Sequence, residues 1–235
     1  MDYEYEINKW WVSNGEMLIE YADAIIFLLF LIAVLYIFIF SLASLKKIKN
    51  KYPPARKKHR FVVLFPAYQE DAVIINSVCS FMEQDYPSYM YELIVIADKM
   101  QERTMQTLKA LPSITVLEVQ YAQSTKTNAL RLAMDYLSTK EEKCDMVVIM
   151  DADNIVNSSF LNKLNDAYYS GCLAIQTHRV AKNRNTNTAV LDAVSEEINN
   201  SIFRSGHTRL GFSSALIGSG MAFDYDWLRQ YIYKA

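Results

Sequence analysis

The chain has 235 residues, 51% of them apolar, and its 24 basic and 26 acidic side chains leave a formal net charge of −2. That length allows one sizeable domain, or one domain with an appendage. Three widely spaced cysteines, Cys79, Cys144 and Cys172, contain no metal-type or redox-type pair and are odd in number; they fit reduced thiols in a cytoplasmic domain.

Residues 1–23 are an acidic lead (Asp2, Glu4, Glu6, Glu16, Glu20, Asp23) bearing Trp10, Trp11 and Tyr21, aromatic residues of the kind that sit at lipid headgroups. Residues 24–45 (AIIFLLFLIAVLYIFIFSLASL) carry no charge. Roughly 22 residues at a helical rise reach about 33 Å, enough to cross a hydrocarbon core. Within that core the backbone must satisfy its own hydrogen bonds, so the run is expected to be a helix. A cleaved signal peptide would need a basic start and a shorter apolar stretch. Lys46, Lys47, Lys49, Lys51, Arg56, Lys57, Lys58 and Arg60 follow without an acidic residue among them. Basic flanks stay on the cytoplasmic side, which predicts the amino terminus outside and the large domain inside. Beside a membrane helix such a stretch contacts anionic lipid rather than nucleic acid. Residues 46–59, broken by Pro53-Pro54, read as a linker, and residues 60–235 as the soluble domain.

The soluble part alternates. Residues 61–65 (FVVLF) form a continuous apolar run suited to a strand buried on both faces, ending at Pro66. Helical spacing follows over 72–84, then a strand at 93–97, a helix over 101–111 and a strand at 114–119. A helix over 126–138, a strand at 146–150, a helix over 159–170 and a strand at 173–176 complete the series. The pattern predicts an α/β fold: a mostly parallel sheet flanked by helices, preceded by one transmembrane helix. In such sheets ligands bind beyond the carboxyl ends of the strands.

Those ends are acidic. Pro66-Ala67-Tyr68-Gln69-Glu70 follows the first strand, Asp98 the second, and Asp151-Ala152-Asp153-Asn154 the strand at 146–150. Carboxylates converging there repel one another unless a cation or hydrogen-bond donors intervene. A divalent metal carrying a diphosphate suits the place, since magnesium takes one or two carboxylates plus phosphate oxygens. Each residue also has a plainer reading. Asp153 or Asn154 can cap a turn or helix, and Asp98 can be a turn residue. Lys126 is either a solvated helix-start side chain or a partner for diphosphate near helix amides. Gly218-Ser219-Gly220 is either a simple turn or a place where backbone approaches a ligand closely. His178 and His207 suit surface or structural roles. No glycine-rich phosphate loop follows a strand, which speaks against nicotinamide enzymes and P-loop NTPases, and no serine elbow is present.

The ordered segments FPAYQED, IVIADK, STKTNAL, VIMDADN, AIQTHRVAKN and GFSSALIGSGMAF resemble family 2 glycosyltransferases of GT-A (nucleotide-diphospho-sugar transferase) fold, the group that includes cellulose, chitin and hyaluronan synthases. The resemblance runs from about Phe61 to Trp227. It implies a UDP-sugar donor, a glycan or lipid acceptor and a Mg2+ or Mn2+ cofactor, in an enzyme held at the cell membrane. It places Pro66, Ala67, Tyr68 and Glu70 in the nucleotide pocket, Asp98 at the uracil or ribose, and Lys126 at the base or phosphates. Asp151 and Asp153 would position sugar and metal, Asp153 being the stronger ligand, with Gln176 and Gly218, Ser219 and Gly220 bordering sugar and acceptor. Tyr68-Gln69 replaces the commoner tyrosine–asparagine pair. The family's acidic triplet, which holds the general base, and its Gln-x-x-Arg-Trp motif are expected beyond Ala235. The chain is then expected to bind donor but transfer poorly, with Leu216, Met221, Phe223 and Trp227 incompletely covered. Two rivals stand beside this reading: a nucleotidyltransferase, and a non-catalytic relative that partners a complete synthase.

Overall fold

The computed structural model describes residues 2–45 and 52–234; Lys46, Lys47, Lys49 and Lys51 of the basic stretch therefore lie outside the described residues. The chain divides into two compact units, Met1–Lys47 with Val180–Ser214, and Ile48–Arg179 with Ala215–Ala235. Residues 180–214, read from the sequence as part of the soluble domain, thus group with the amino-terminal helix.

In the first unit, α1 (Asp2–Leu45) is one continuous helix. Within it Asn14–Leu45 is long and apolar enough to cross a membrane, and most of its large apolar side chains are exposed. α6 (Asn187–Ile198) opens on Thr186, whose hydroxyl accepts from the Ala189 amide at 3.2 Å, a cap that satisfies one of the free amides of the first turn. The helix widens into a π-helical segment, Asn199–Gly206, followed by the short α7 (His207–Arg209). Here the His207 ring stacks on Phe40 at 3.9 Å. Its Nδ1 faces the Ile202 carbonyl at 3.1 Å and its Nε2 the Tyr36 hydroxyl at 2.6 Å. A carbonyl only accepts, so Nδ1 carries a proton toward Ile202, while the Tyr36 hydroxyl, able to donate or accept, pairs with Nε2. His207 is therefore structural.

The second unit holds a six-stranded sheet in the order β3-β2-β1-β4-β6-β5. Its strands are β1 (Phe61–Tyr68), β2 (Tyr91–Asp98), β3 (Ile114–Val119), β4 (Met146–Ile149), β5 (Ala174–Gln176) and β6 (Met221–Asp224). The first four pair in parallel, whereas β6 runs antiparallel to β4 and β5 antiparallel to β6. α2 (Ile74–Met82), α3 (Glu102–Ala110) and α5 (Phe160–Tyr169) cover one face, and α4 (Lys126–Ser138) and α8 (Tyr225–Tyr231) the other. Strand alternation sorts the core. Phe61, Val63 and Phe65 meet Phe81, Leu108 and Leu161 on one side. Val62 and Leu64 meet Ala133, Met134 and Leu228 on the other. Each such aliphatic or aromatic side chain contributes roughly 1.5–3 kcal/mol by leaving water. Phe223, expected to be poorly covered, is only 5% exposed, because Trp227 stacks over it at 5.6 Å.

The first strand does not stop at Pro66; it continues to Tyr68, paired with β2 throughout but with β4 only as far as Leu64. The Leu64 carbonyl accepts from Met150 on the β4 side. Pro66, two residues on, points its ring nitrogen the same way, where β4 has ended. The missing N–H therefore costs no ladder bond.

Candidate active site

The parallel strands β1, β2 and β4 end on one edge, with Tyr68 opposite Asp98 and Asp151 two residues beyond the end of β4. The chain leaves β1 and β2 through left-handed residues, Gln69 (φ 54°) and Lys99 (φ 53°). The Gln69 amide donates to the Asp98 carbonyl at 3.1 Å, and that of Lys99 to the Val119 carbonyl at 3.3 Å. Two strained exits are thus tied to the neighbouring strand, the kind of backbone cost that clusters at functional sites.

Pro66, Ala67, Tyr68, Glu70, Asp98 and Lys126 all line one cleft at this edge, together with Ser124 and Thr125. Ala67, Ile96 and Ala129 give it an apolar floor. Asp98 is buried, and its Oδ1 accepts from the Tyr121 amide at 3.3 Å. Tyr121's own partial burial raises its phenol above its ordinary pKa, the Asp98 and Asp135 charges adding to the effect. The Ser124 hydroxyl is buried without a hydrogen-bond partner among the described residues. Such a group costs about 1–3 kcal/mol when left unpaired, so a polar ligand atom entering the cleft has a ready partner. Thr125 caps α4 by accepting from the Asn128 amide at 3.1 Å.

Lys126 is the first residue of α4 and joins the two halves of the site. Its Nζ donates to Asp151 Oδ1 and to the Gly218 carbonyl, both at 2.5 Å. A cation at a helix amino terminus opposes the helix dipole, so these acceptors, not helix stability, explain its place. Beyond it lies a braced turn. The Ser219 hydroxyl accepts from the Asp151 amide at 2.9 Å and from Asn154 Nδ2 at 2.5 Å. Gln176 donates to the Ser219 carbonyl at 2.9 Å and accepts from the Ile217 amide at 2.9 Å, so both ends of its amide hold the turn. Gly220 has φ 63°, and a Cβ there would lie 2.4 Å from Thr177 Oγ1. Its carbonyl takes the Thr177 amide at 2.9 Å. Gly218-Ser219-Gly220 is therefore fixed from β4 and from β5 rather than being a free turn.

Asp153 stands next in the same turn, exposed and without a hydrogen bond or ion pair among the described residues. No three carboxylate, imidazole or thiol side chains converge on one point among the described residues. A magnesium-type ion carrying diphosphate needs only one or two protein carboxylates; Asp151 and Asp153 are the two carboxylates of this turn. Other acids serve structure. Asp224 accepts from the Trp227 amide at 2.9 Å and the Tyr168 hydroxyl at 2.8 Å, one on each oxygen. Glu196, on α6, pairs with Arg204 at 2.9 Å.

The sequence profile of Glycosyltransferase like family 2 matches residues 59–232. The chain belongs to this glycosyltransferase family. Its sheet has the GT-A fold, as two solved relatives show. The mannosyltransferase PcManGT from Pyrobaculum calidifontis, in complex with GDP-Man and Mn2+, superposes with a TM-score of 0.60 at 20% identity, over 81% of this chain and 51% of that one. S. aureus TarS 1–349 superposes with a TM-score of 0.53 at 14% identity, over 73% of this chain and 48% of that one. A second TarS structure, with UDP-GlcNAc, gives the same TM-score of 0.53 and 14% identity, over 73% and 47%. The glycosyltransferase chain thus spans about half the length of these structures. No functionally curated protein matches it.

Of the site, Ser124 and Thr177 had not been singled out from the sequence, and Asn154 only as a cap for a turn or helix. The Ser-Thr pair before a helix start is a legible capping signal. Nothing in the local sequence marks Ser124 as an unpaired hydroxyl.

Proposed function

We propose that the chain is the donor-binding part of a membrane-anchored, metal-dependent inverting glycosyltransferase that uses a UDP-sugar and passes the sugar to a glycan or lipid acceptor. The observation that carries this is Lys126, which links the cleft to the Asp151 turn. The nucleoside lies in the cleft with Asp98 and the Ser124 hydroxyl as its polar contacts. The diphosphate lies at the amino end of α4, where free amides and the Lys126 ammonium favour anions. Asp153 and Asp151 hold the metal, which when bound neutralises charge on the departing diphosphate. The sugar rests against Gly218, where no side chain intrudes. The acceptor hydroxyl attacks the anomeric carbon as a carboxylate takes its proton. That carboxylate lies outside the donor set, since Asp151 and Asp153 serve the donor and both oxygens of Asp224 are engaged.

The apolar stretch of α1 serves as the anchor, with the acidic lead outside and the sheet unit on the cytoplasmic side. Calorimetry on the detergent-solubilised chain tests the donor site. UDP binding is expected to strengthen with Mn2+, to weaken in Asp153→Ala, and to exceed GDP binding. Equal UDP affinity with and without metal in both proteins would remove the metal from the proposal.

A further inference from the structure

We infer that α6 and the turns after it form a second membrane-embedded element, an interfacial helix seated at the acyl–headgroup boundary beside α1. α6 is inside out. Val190, Leu191, Val194 and Ile198 share one stripe of the helix and are exposed, Leu191 by 70%. On the opposite side Ala189, Ala193 and Glu196 are half-buried, with Glu196 paired to Arg204. A helix on a water-facing protein surface carries the reverse pattern. Phe203, Leu210 and Phe212 continue the exposed apolar surface, Phe212 at 59%.

The occupant follows from what this segment is fastened to. His207 stacks on Phe40 and bonds Tyr36. Gly206 presses so close that a Cβ would lie 2.5 Å from the Phe40 carbonyl. Arg209 donates to the Ala43 and Ser44 carbonyls at 2.9 and 2.5 Å, satisfying end groups that a helix leaves open. These α1 residues fall within the last ten of the apolar stretch Asn14–Leu45. At a helical rise, Ser44 lies about 2 Å and Tyr36 about 14 Å from its end. That range brackets the roughly 5–10 Å at which interfacial helices are buried. Asp192, Glu196 and Glu197 give α6 no basic face, so apolar burial rather than attraction to anionic headgroups seats it, and zwitterionic lipid suffices.

The inference rests on the reading of α1 as a membrane anchor, and the test separates the two. The full chain, with Cys79, Cys144 and Cys172 replaced, is reconstituted in phosphatidylcholine vesicles. It carries a polarity-sensitive fluorophore on Leu191→Cys, Val194→Cys, Asp192→Cys or Ile32→Cys. The expected result is lipid quenching at Ile32, Leu191 and Val194 by doxyl lipids, with shallow doxyl groups the better quenchers of Leu191 and Val194. Asp192 should instead be quenched by aqueous iodide. If Leu191 and Val194 are quenched by iodide as readily as Asp192 while Ile32 is quenched by lipid, α6 faces water and the inference falls. Shielding of both positions from iodide and lipid alike would overturn it in favour of a protein partner. Absence of lipid quenching at Ile32 would remove the anchor, and the inference with it.

Discussion

Replacing Lys126 with methionine keeps the apolar stem and removes the charge, and it separates a donor-binding role from a structural one. The Lys126–Asp151 pair has side chains 39% and 40% exposed. An ion pair that open contributes about 0–1 kcal/mol to folding, and removing a cation from a helix amino terminus returns roughly 0.3–1 kcal/mol. The two nearly cancel, so the melting temperature should move by no more than about 4 °C. Donor binding responds differently. A hydrogen bond to a charged group is worth about 1.5–3 kcal/mol, which is roughly a 10- to 150-fold loss in UDP affinity. Asp151, released from its partner, then adds repulsion toward the diphosphate, and the salt dependence of UDP binding should be shallower in the variant. Calorimetry with Mn2+ present and thermal melts on the same samples give both numbers. An affinity change of less than about threefold, or a stability loss well above about 1 kcal/mol, would refute the reasoning.

Gln69 holds φ 54° at the cleft edge, a conformation asparagine tolerates better. Gln69→Asn should raise the melting temperature slightly, and a lower value would show that the glutamine side chain matters there. Gly220→Ala meets both a left-handed backbone and Thr177 Oγ1, whereas Gly218→Ala, at φ 88°, meets only the backbone. Denaturant titration should find a loss of about 2 kcal/mol or more for the first and about 1 kcal/mol for the second; equal losses would mean that the Thr177 contact relaxes freely. Burial pushes the Cys144 thiol from its ordinary 9.0 up to about 12. Its folded pKa exceeds its unfolded one, so its contribution is fully present below about pH 9 and is lost as pH rises toward 12. Cys144→Ala should flatten alkaline destabilisation in that window, and iodoacetamide should modify the half-buried Cys79 and Cys172 first, as mass spectrometry of the labelled chain will show.

Much of the sheet was legible because its strands are buried on both faces and read as unbroken apolar runs, FVVLF and LIVIA among them, between helices of clear period. The helix at 126–138 coincides with α4 because Thr125 marks its start. β6 (MAFD) went unread: at four residues, beginning straight after Gly220, it is too short for periodicity to distinguish from a loop. Its antiparallel direction is set by the return of the chain to β4, a long-range pairing no local pattern encodes. Pro66 misled in the opposite sense. Proline breaks a ladder only where a partner waits for its N–H, and whether β4 reaches that far is decided by the fold.

The site divides along the same line. Asp98 and the Asp151 turn were legible because each polar group follows a buried strand, and strand direction alone brings such ends to one edge. The identity of their partners was not, since Lys126 meets groups 25 and 92 residues away. The sequence reading left Lys126 between a solvated side chain and a phosphate partner, and Gly218-Ser219-Gly220 between a turn and a ligand contact. The geometry joins these two questions into one. A single ammonium held by Asp151 and the Gly218 carbonyl ties the helix that begins the cleft to the turn that ends it. An anion bound at the start of α4 competes with both acceptors for that ammonium, so its arrival redistributes the bonds that hold Asp151 and Gly218. With the donor placed as proposed, its binding and the posture of the Asp151 turn would be coupled through one side chain. Lys126→Arg, with the charge retained but the point geometry lost, should preserve UDP binding better than Lys126→Met while still altering metal dependence; if arginine and methionine behave alike in both measurements, charge is not what Lys126 contributes.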